Sequence, residues 1–446
     1  MTEKNKPSQF ILFGCWNNLN EGKGNLKAVM EMLNDYITTN PVDFISIAGD
    51  NYYFEKKKNK NKSDNKNKNK NESDNDNKII DNFASRFDKV STTNTKSIKE
   101  LKSVDIDKLN EGFKLLPKTI PINMIFGNHD LEKVKQTEAN NNRDCIVTTE
   151  TEAAVKYNTP NIELNTFHSK VLENNTLLLM IDTSIYSKKP EEYIDCYNEF
   201  EKSNNNAQVA QVAQLNKISD AINNCNLVQI SNLIICGHHP IIAVKHKNEM
   251  DTQIHDLIDF ENVLLNIRNL INTYNNNNNP ETKYYYLTAD VHLYQHGIVT
   301  ITPDKPKLNA KSITTHNNPK LDTKSITTLD NSPMEIDQYI VGTGGTNLDE
   351  NPIGYNGEYN NLNLSVKYEI KESIKNYGFL DCIIKNQNHD IEFNFIQLKE
   401  KIIGDEKSIG GKRNKSRKSR KSRKLSIRVK NNGKKSKKTK KMQRYM

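Results

Sequence analysis

Five times in this chain an apolar run ends at a short cluster of residues able to ligate metal: FILFGCWNN (10–18), FISIAGDNYY (44–53), INMIFGNHD (122–130), LIICGHHP (233–240) and YYYLTADVH (284–292). Asp50, Asn128, His129, His238, Asp290 and His292 all fall just past those runs. Aspartate, asparagine, histidine and tyrosine are hard oxygen and imidazole ligands suited to iron, manganese or zinc. An aspartate can also bridge two ions held about 3.5–4 Å apart. Such a pair lowers the pKa of a bound water and clamps a phosphoryl group, so the chemistry to expect is phosphoester hydrolysis.

That chemistry requires the clusters to meet. The runs are short and rich in β-branched and aromatic residues, the pattern of buried strands. In open α/β sheets the carboxyl ends of strands line one edge and build the ligand crevice. Further strands are predicted at Thr176–Ile181, Gly297–Ile301, Glu335–Val341, Gly378–Ile384 and Ile391–Gln397, and helices at Leu26–Ile37, Ile98–Leu115, Val209–Asn224 and Phe260–Asn272. Alternation of the two reads as an α/β fold.

The ordered strings GDNYY, GNHD, GHHP, a later His-bearing string and YIVGTGG (339–345) resemble the calcineurin-like metallophosphoesterase superfamily over roughly residues 8–400. The tyrosine three residues after Asp50 is similar to the purple acid phosphatase branch. The resemblance implies two packed mixed β-sheets flanked by helices, with two divalent or mixed-valence ions between the sheets at one end. It implies that Asp50 bridges both ions and that Tyr53 and His292 bind the first. Asn128 and His238 would bind the second. His129 would not be a ligand but would protonate the leaving group, while Asp130 and His239 support these residues or contact substrate. A metal-bound hydroxide would be the nucleophile, and a phosphorylated molecule the substrate.

Two positions depart from the family strings. Cys15, in Gly14-Cys15-Trp16-Asn17, stands where the family has an aspartate; its thiolate would favour zinc or ferrous iron. Ala289-Asp290-Val291-His292 replaces Gly-His-x-His, so Asp290 offers an oxygen at a histidine position. Cys15 and Asp290 both remain candidate ligands, and Cys15 also leaves open a catalytically impaired scaffold of the same fold. Spacing selects Tyr53 over Tyr52, which is expected to pack inward. Trp16 is either a cleft wall or core. His168, His246, His255, His316 and His389 lack comparable context, although His246 follows GHHP closely enough to reach phosphate. No GxxxxGK[ST] loop and no Ser-His-Asp arrangement is present.

The chain has 446 residues, 35% of them hydrophobic, and a mean hydropathy of −0.79, low for a compact domain. The deficit is local. Residues 56–78 are a Lys/Asn/Asp/Ser run unable to bury a core and are predicted to form a disordered insertion. A second insertion, 304–333, carries the tandem copies PKLNAKSITTHN and PKLDTKSITTLD. Residues 401–446 are predicted to be a disordered tail. Its stretch 412–444 holds 18 of the 64 Lys and Arg and no Asp or Glu, leaving 46 basic against 55 acidic residues elsewhere. That tail would bind nucleic acid or another polyanion, with affinity falling as salt rises, or act as a nuclear targeting signal. The six cysteines show no paired spacing, and no signal-like or membrane-spanning run stands out. Reduced thiols and an intracellular setting are expected.

Overall fold

The structure, a computed structural model, describes residues 8–19, 24–53, 106–135, 143–156, 161–275, 282–303, 332–353, 357–361, 364–385 and 390–399. The insertion at 56–78, the tandem repeat, the tail, the first part of the helix expected from Ile98, and His316 and His389 lie outside them. The chain divides into a unit Met1–Lys399 and a unit Glu400–Met446.

The described elements begin with β1 (Ser8–Phe13), α1 (Leu26–Thr39), β2 (Phe44–Ala48), α2 (Ile106–Leu115), β3 (Ile122–Ile125), β4 (Lys133–Lys135), β5 (Arg143–Cys145), α3 (Ile146–Lys156) and β6 (Ile162–Leu164). They continue with β7 (Phe167–Leu172), β8 (Thr176–Ile181), α4 (Ile194–Glu201), α5 (Ala207–Asn223), β9 (Asn232–Cys236), β10 (Ala243–Lys247), β11 (Met250–Ile254), α6 (Phe260–Tyr274) and β12 (Lys283–Thr288). The last are β13 (Tyr294–Pro303), β14 (Met334–Val341), β15 (Gly357–Asn361), β16 (Leu364–Ile374), β17 (Gly378–Ile384) and β18 (Ile391–Gln397).

Two mixed sheets dominate. One has six strands in the order β18-β17-β1-β2-β3-β6, and the other eight in the order β15-β16-β13-β14-β12-β9-β8-β7. Each has a parallel centre, β1-β2-β3-β6 in the first and β8-β9-β12-β14 in the second. Every residue of β2, β8 and β9 is buried, which explains their uninterrupted apolar runs: parallel strands are covered on both faces. One hydrophobic core runs from Phe10 and Ile45 to Leu179 and Ile235 and so joins the two sheets. Helix α1 buries Leu26, Val29, Met30 and Leu33, the i, i+3, i+4, i+7 stripe of an amphipathic helix. Burying each such side chain is worth about 1.5–3 kcal/mol.

The two-sheet α/β architecture is as expected, and the strands at Thr176, Gly378 and Ile391 begin and end where predicted. Helices α3 and α4 and strands β4, β5, β6, β7, β10, β11, β15 and β16 lie outside the predicted elements. The sequence IVTTETEAAVK of α3 has only weak apolar periodicity, and its burial comes from packing beneath the β3 loop. The expectation of reduced thiols throughout is corrected: Cys145 and Cys196 form a disulfide across 51 residues, while Cys15, Cys225, Cys236 and Cys382 are free and buried. The two partners meet because α3, which starts directly after Cys145, packs against α4, and spacing along the chain does not reveal that. No helix among the described residues is long and apolar enough to cross a membrane.

Candidate metal centre

Each candidate ligand leaves the carboxyl end of a parallel strand. Cys15 follows β1, Asp50 and Tyr53 follow β2, Asn128 to Asp130 follow β3, His238 and His239 follow β9, and Asp290 and His292 follow β12. The loops are tied to one another: the Cys15 amide donates to Gly49 O at 3.0 Å, the Trp16 amide to Asp50 O at 3.3 Å and the Gly14 amide to Val341 O at 3.1 Å. A Cβ on Gly127 would lie 2.4 Å from Asp50 Oδ1 and 2.8 Å from His238 Cε1, so the β3 loop can approach the centre only as glycine. Cys15, Asp50 and Asp290 have φ of +54°, +54° and +56°, a left-handed conformation that costs about 1–2 kcal/mol for most L-residues. Three strands thus turn sharply at their last step and aim a donor group into one space.

Asp50 organises that space by dividing its two oxygens. Its Oδ2 accepts the Tyr53 hydroxyl at 2.7 Å and the Cys15 thiol at 3.9 Å, and the Tyr53 oxygen lies 3.1 Å from His292 Nε2. Its Oδ1 accepts the His129 amide at 3.1 Å and lies 3.2 Å from His238 Nε2. That nitrogen is also 3.0 Å from Asn128 Oδ1 and 3.7 Å from Asp290 Oδ1. The ligand atoms of Cys15, Asp50 and His238 lie within 4.8 Å of one another, as do those of His238, His239 and Asp290.

Neighbouring groups fix these side chains. His238 Nδ1 must donate to the Ala48 carbonyl, 2.7 Å away, because a carbonyl can only accept; this leaves the Nε2 lone pair for a metal. The turn bearing His238 and His239 is held by Thr183, whose oxygen accepts both backbone amides at 3.2 and 3.0 Å and lies 2.9 Å from His239 Nδ1. Thr288 and Tyr286 donate to the carbonyls of His238 and His239 at 2.5 and 2.7 Å. Asp349 clasps His292 from both sides, accepting its amide at 3.0 Å and donating an amide to its carbonyl at 2.7 Å, and Lys245 Nζ lies 3.3 Å from both Asp349 oxygens. Asp130 accepts the amides of Asn51 and Gly127, each at 2.7 Å, and the Asn51 side chain at 3.0 Å.

Burial and mutual charge set the protonation of these groups. Burial pushes the Asp50 carboxyl up, but the imidazoles of His238 and His129, the Tyr53 hydroxyl and the His129 amide outweigh it and hold it at about 2. For His238 burial lowers the pKa, and the Asp50 and Asp290 carboxylates reverse the direction. The Cys15 thiol and Tyr53 phenol are driven up by burial first and by the Asp50 charge second. His239, buried and beside His238, is lowered to about 3 and stays neutral. Asp130 rises to about 6 through burial and Asp50, and buried Glu150 on α3 is pushed up through burial and Asp130. Burial thus biases both carboxyls toward their protonated forms.

These residues fit metal ions. The shared carboxylate presents one oxygen to each of two donor groups, and His238 has its free lone pair on the inner side. His129 stands at the edge, partly exposed, with Nδ1 3.2 Å from Glu132 Oε1 and its ring 5.0 Å from that of Tyr53. Tyr52 packs inward, as expected. Trp16 is core: its indole donates to Asn51 Oδ1 at 3.1 Å and meets Phe113 edge-on. His246 pairs with Asp251 and its backbone with Glu350 O. Sequence reasoning missed Asn51, Glu150, Thr183 and Asp349. Only Asn51, inside GDN, lay in a string already singled out.

A chain with two mixed sheets and candidate metal ligands gathered at their parallel strand ends is built as a metal-binding hydrolase is built. The sequence model of the calcineurin-like phosphoesterase family matches residues 8–294, and the chain belongs to that family. Among solved structures, it is similar to purple acid phosphatase PPD1 from yellow lupin (Lupinus luteus) seeds, at 10% identity and a TM-score of 0.42. The match covers 89% of this chain and 52% of that one, so the chain spans about half the length of the lupin protein. No curated protein matches the sequence.

Proposed function

We propose that this protein is a metal-dependent phosphoesterase with a binuclear site. The observation that carries the reading is the division of Asp50, one oxygen toward Tyr53, Cys15 and His292 and the other toward His238, with Asn128 and Asp290 beyond it. Two ions held there would activate a water and neutralise charge on the phosphoryl oxygens. Tyr53, Cys15, His292 and Asp50 hold the first position; Asp50, Asn128, His238 and Asp290 hold the second. His129, anchored through its amide to Asp50 and paired with Glu132, keeps a proton at the crevice edge and delivers it to the departing alkoxide. Asp130 positions the β3 loop, and His239 lends a neutral ring beside His238.

The test is hydrolysis of an aryl phosphate by the full chain supplied with manganese, zinc or iron, together with metal content by mass spectrometry. His129→Ala is expected to lower turnover about 10²–10⁴-fold and leave metal content unchanged. Loss of metal in that variant would show that His129 is a ligand and not the acid.

The basic run 412–444 supports a polyanionic partner or substrate. Deleting 412–446 is then expected to weaken activity on phosphodiester polymers, most at low salt, and to leave small aryl esters unaffected; equal loss on both would exclude recruitment. A second reading, a catalytically impaired scaffold holding nucleic acid through this run, is favoured by Cys15 alone. It requires that no metal restores turnover.

A further inference from the structure

The two donor sets around Asp50 are chemically unequal. On the Oδ2 side stand a thiol sulfur, a phenol oxygen and one imidazole nitrogen, from Cys15, Tyr53 and His292. On the Oδ1 side stand an amide oxygen, a carboxylate oxygen and one imidazole nitrogen, from Asn128, Asp290 and His238. The first set contains the only sulfur donor; the second offers oxygen at every position but one. Thiolate selects borderline and soft divalent ions such as zinc, whereas carboxylate and carbonyl oxygen suit manganese and magnesium, which gain little from sulfur.

Resting on the phosphoesterase reading above, we infer that the site is a sorted pair, with zinc held on the Cys15 side and a harder divalent ion such as manganese on the Asp290 side. Binding on the first side releases the thiol proton of Cys15 and the phenol proton of Tyr53 to solvent, so two anionic ligands and the shared carboxylate face that ion. The second side presents Asp290 and its share of Asp50, with the neutral Asn128 and His238. The first position is thus the softer of the two, and that softness favours zinc there. Cys15 is buried and its backbone is fixed by the Gly49 carbonyl and by the Thr346 amide, which donates to Cys15 O at 3.2 Å. The sulfur is therefore shielded from solvent on a backbone held at both its amide and its carbonyl. The remaining free thiols, Cys225, Cys236 and Cys382, belong to strand and helix-end positions of the core and serve as an internal control.

The experiment uses the full chain, stripped of metal and dialysed against equimolar zinc and manganese, with both counted by mass spectrometry. One zinc and one manganese per chain are expected. Cys15→Asp is expected to weaken zinc retention at least about 100-fold, the upper end of what outer partners of a ligand contribute, while two ions still bind. Asp290→His is expected to lose manganese and take up a second zinc. Loading with cobalt gives a readout independent of activity: a thiolate-to-cobalt charge-transfer band in the near ultraviolet, present in the native chain and in Asp290→His and absent in Cys15→Asp. Two bound cobalt ions without that band, or the same zinc to manganese ratio in the native chain and Cys15→Asp, would overturn the sorting and leave the binuclear phosphoesterase standing. A native chain that retains no ion overturns both.

Discussion

Apart from Asp290 on the eight-stranded side and His129 on the six-stranded side, the two sheets contribute different kinds of group to the crevice. The six-stranded sheet supplies the buried acids: Asp50 at its centre and, behind it, Asp130 and Glu150. The eight-stranded sheet supplies imidazoles, His238, His239 and His292, on turns held by the hydroxyls of Thr183, Thr288 and Tyr286 and by Asp349. Each sheet answers its own burial problem differently. Asp50 and Asp130 accept backbone amides, and burial pushes Glu150 toward its protonated form. The histidine turns are satisfied by neutral hydroxyls, which do not compete for charge. Where the sheets meet, His238, with His129 from the acidic side's own loop, brings Asp50 down to about 2 despite burial. Neither half would hold its charged groups without the other.

The sharpest way to break this division is to remove the acid that faces both ways. Asp50→Asn keeps the amide contact from His129 but leaves His238 without its charge partner, and it is expected to reduce bound metal from two ions to one or none. Hydrolysis should fall by about 10³-fold or more, as for loss of a principal electrostatic group. Metal content and turnover measured on one preparation check both effects. Retained metal with full activity would mean that the two sides do not depend on a common carboxylate.

Next comes the staple on the acidic side. The disulfide joins Cys145, at the head of α3, to Cys196 on α4, and the same region is tied by Lys133–Asp195 at 2.7 Å and Thr148–Glu199 at 2.8 Å. The amides of Ile146 and Val147 donate to the carbonyls of Glu132 and Asp130, so α3 hangs directly from the loop that carries His129. Closing a loop of this size restricts the unfolded chain by about 4 kcal/mol in the chain-entropy model. The double change of Cys145 and Cys196 to Ser should lower the denaturation midpoint correspondingly. It should raise KM or lower kcat more than a change on the histidine side far from this loop.

The effect confined to a pH window lies on the eight-stranded side, just past β8. Asp182 is fully buried, accepts the Ser184 amide at 2.7 Å and has no partner at Oδ2; burial raises it to about 7. A carboxyl raised in the folded state is protonated there while the unfolded chain has already lost its proton. Its stabilising contribution is therefore fully present below the unfolded value near 3.8 and is lost as pH rises to about 7. At about 1.4 kcal/mol per pKa unit the loss is at most about 4 kcal/mol. Asp182→Asn, neutral at every pH, is expected to be more stable than the native chain at pH 8 and close to it at pH 4. Thermal melts at both values check this, and an equal difference at both would remove the protonation argument.

Much of the fold and of the candidate site was legible in the chain because the candidate ligands follow buried parallel strands, whose apolar runs are unbroken and end abruptly. Tyr53 was separable from Tyr52 by position, and Tyr52 does pack inward. The supporting groups were not legible for a physical reason. Thr183 follows an ordinary strand end, Asp349 lies in a loop after YIVGTGG, and Glu150 sits on a helix of weak periodicity. Each acts through a contact made only when separate loops meet. The disulfide was hidden in the same way, since a separation of 51 residues carries no signal of proximity. With that bond formed, cysteine usage no longer argues for a reducing compartment.

The left-handed backbone at Cys15, Asp50 and Asp290 sets fold and function at odds in these three places. Glycine at any of them would relieve the backbone by about 1 kcal/mol and delete a donor at the same stroke. At Asp290, the least buried of the three and outside the Asp50–His238 pair's closest contact, variants chosen only for how well they survive heating would drift toward glycine and come out empty-handed. A screen meant to harden this protein must score metal uptake alongside melting, or it will reward the loss of the site.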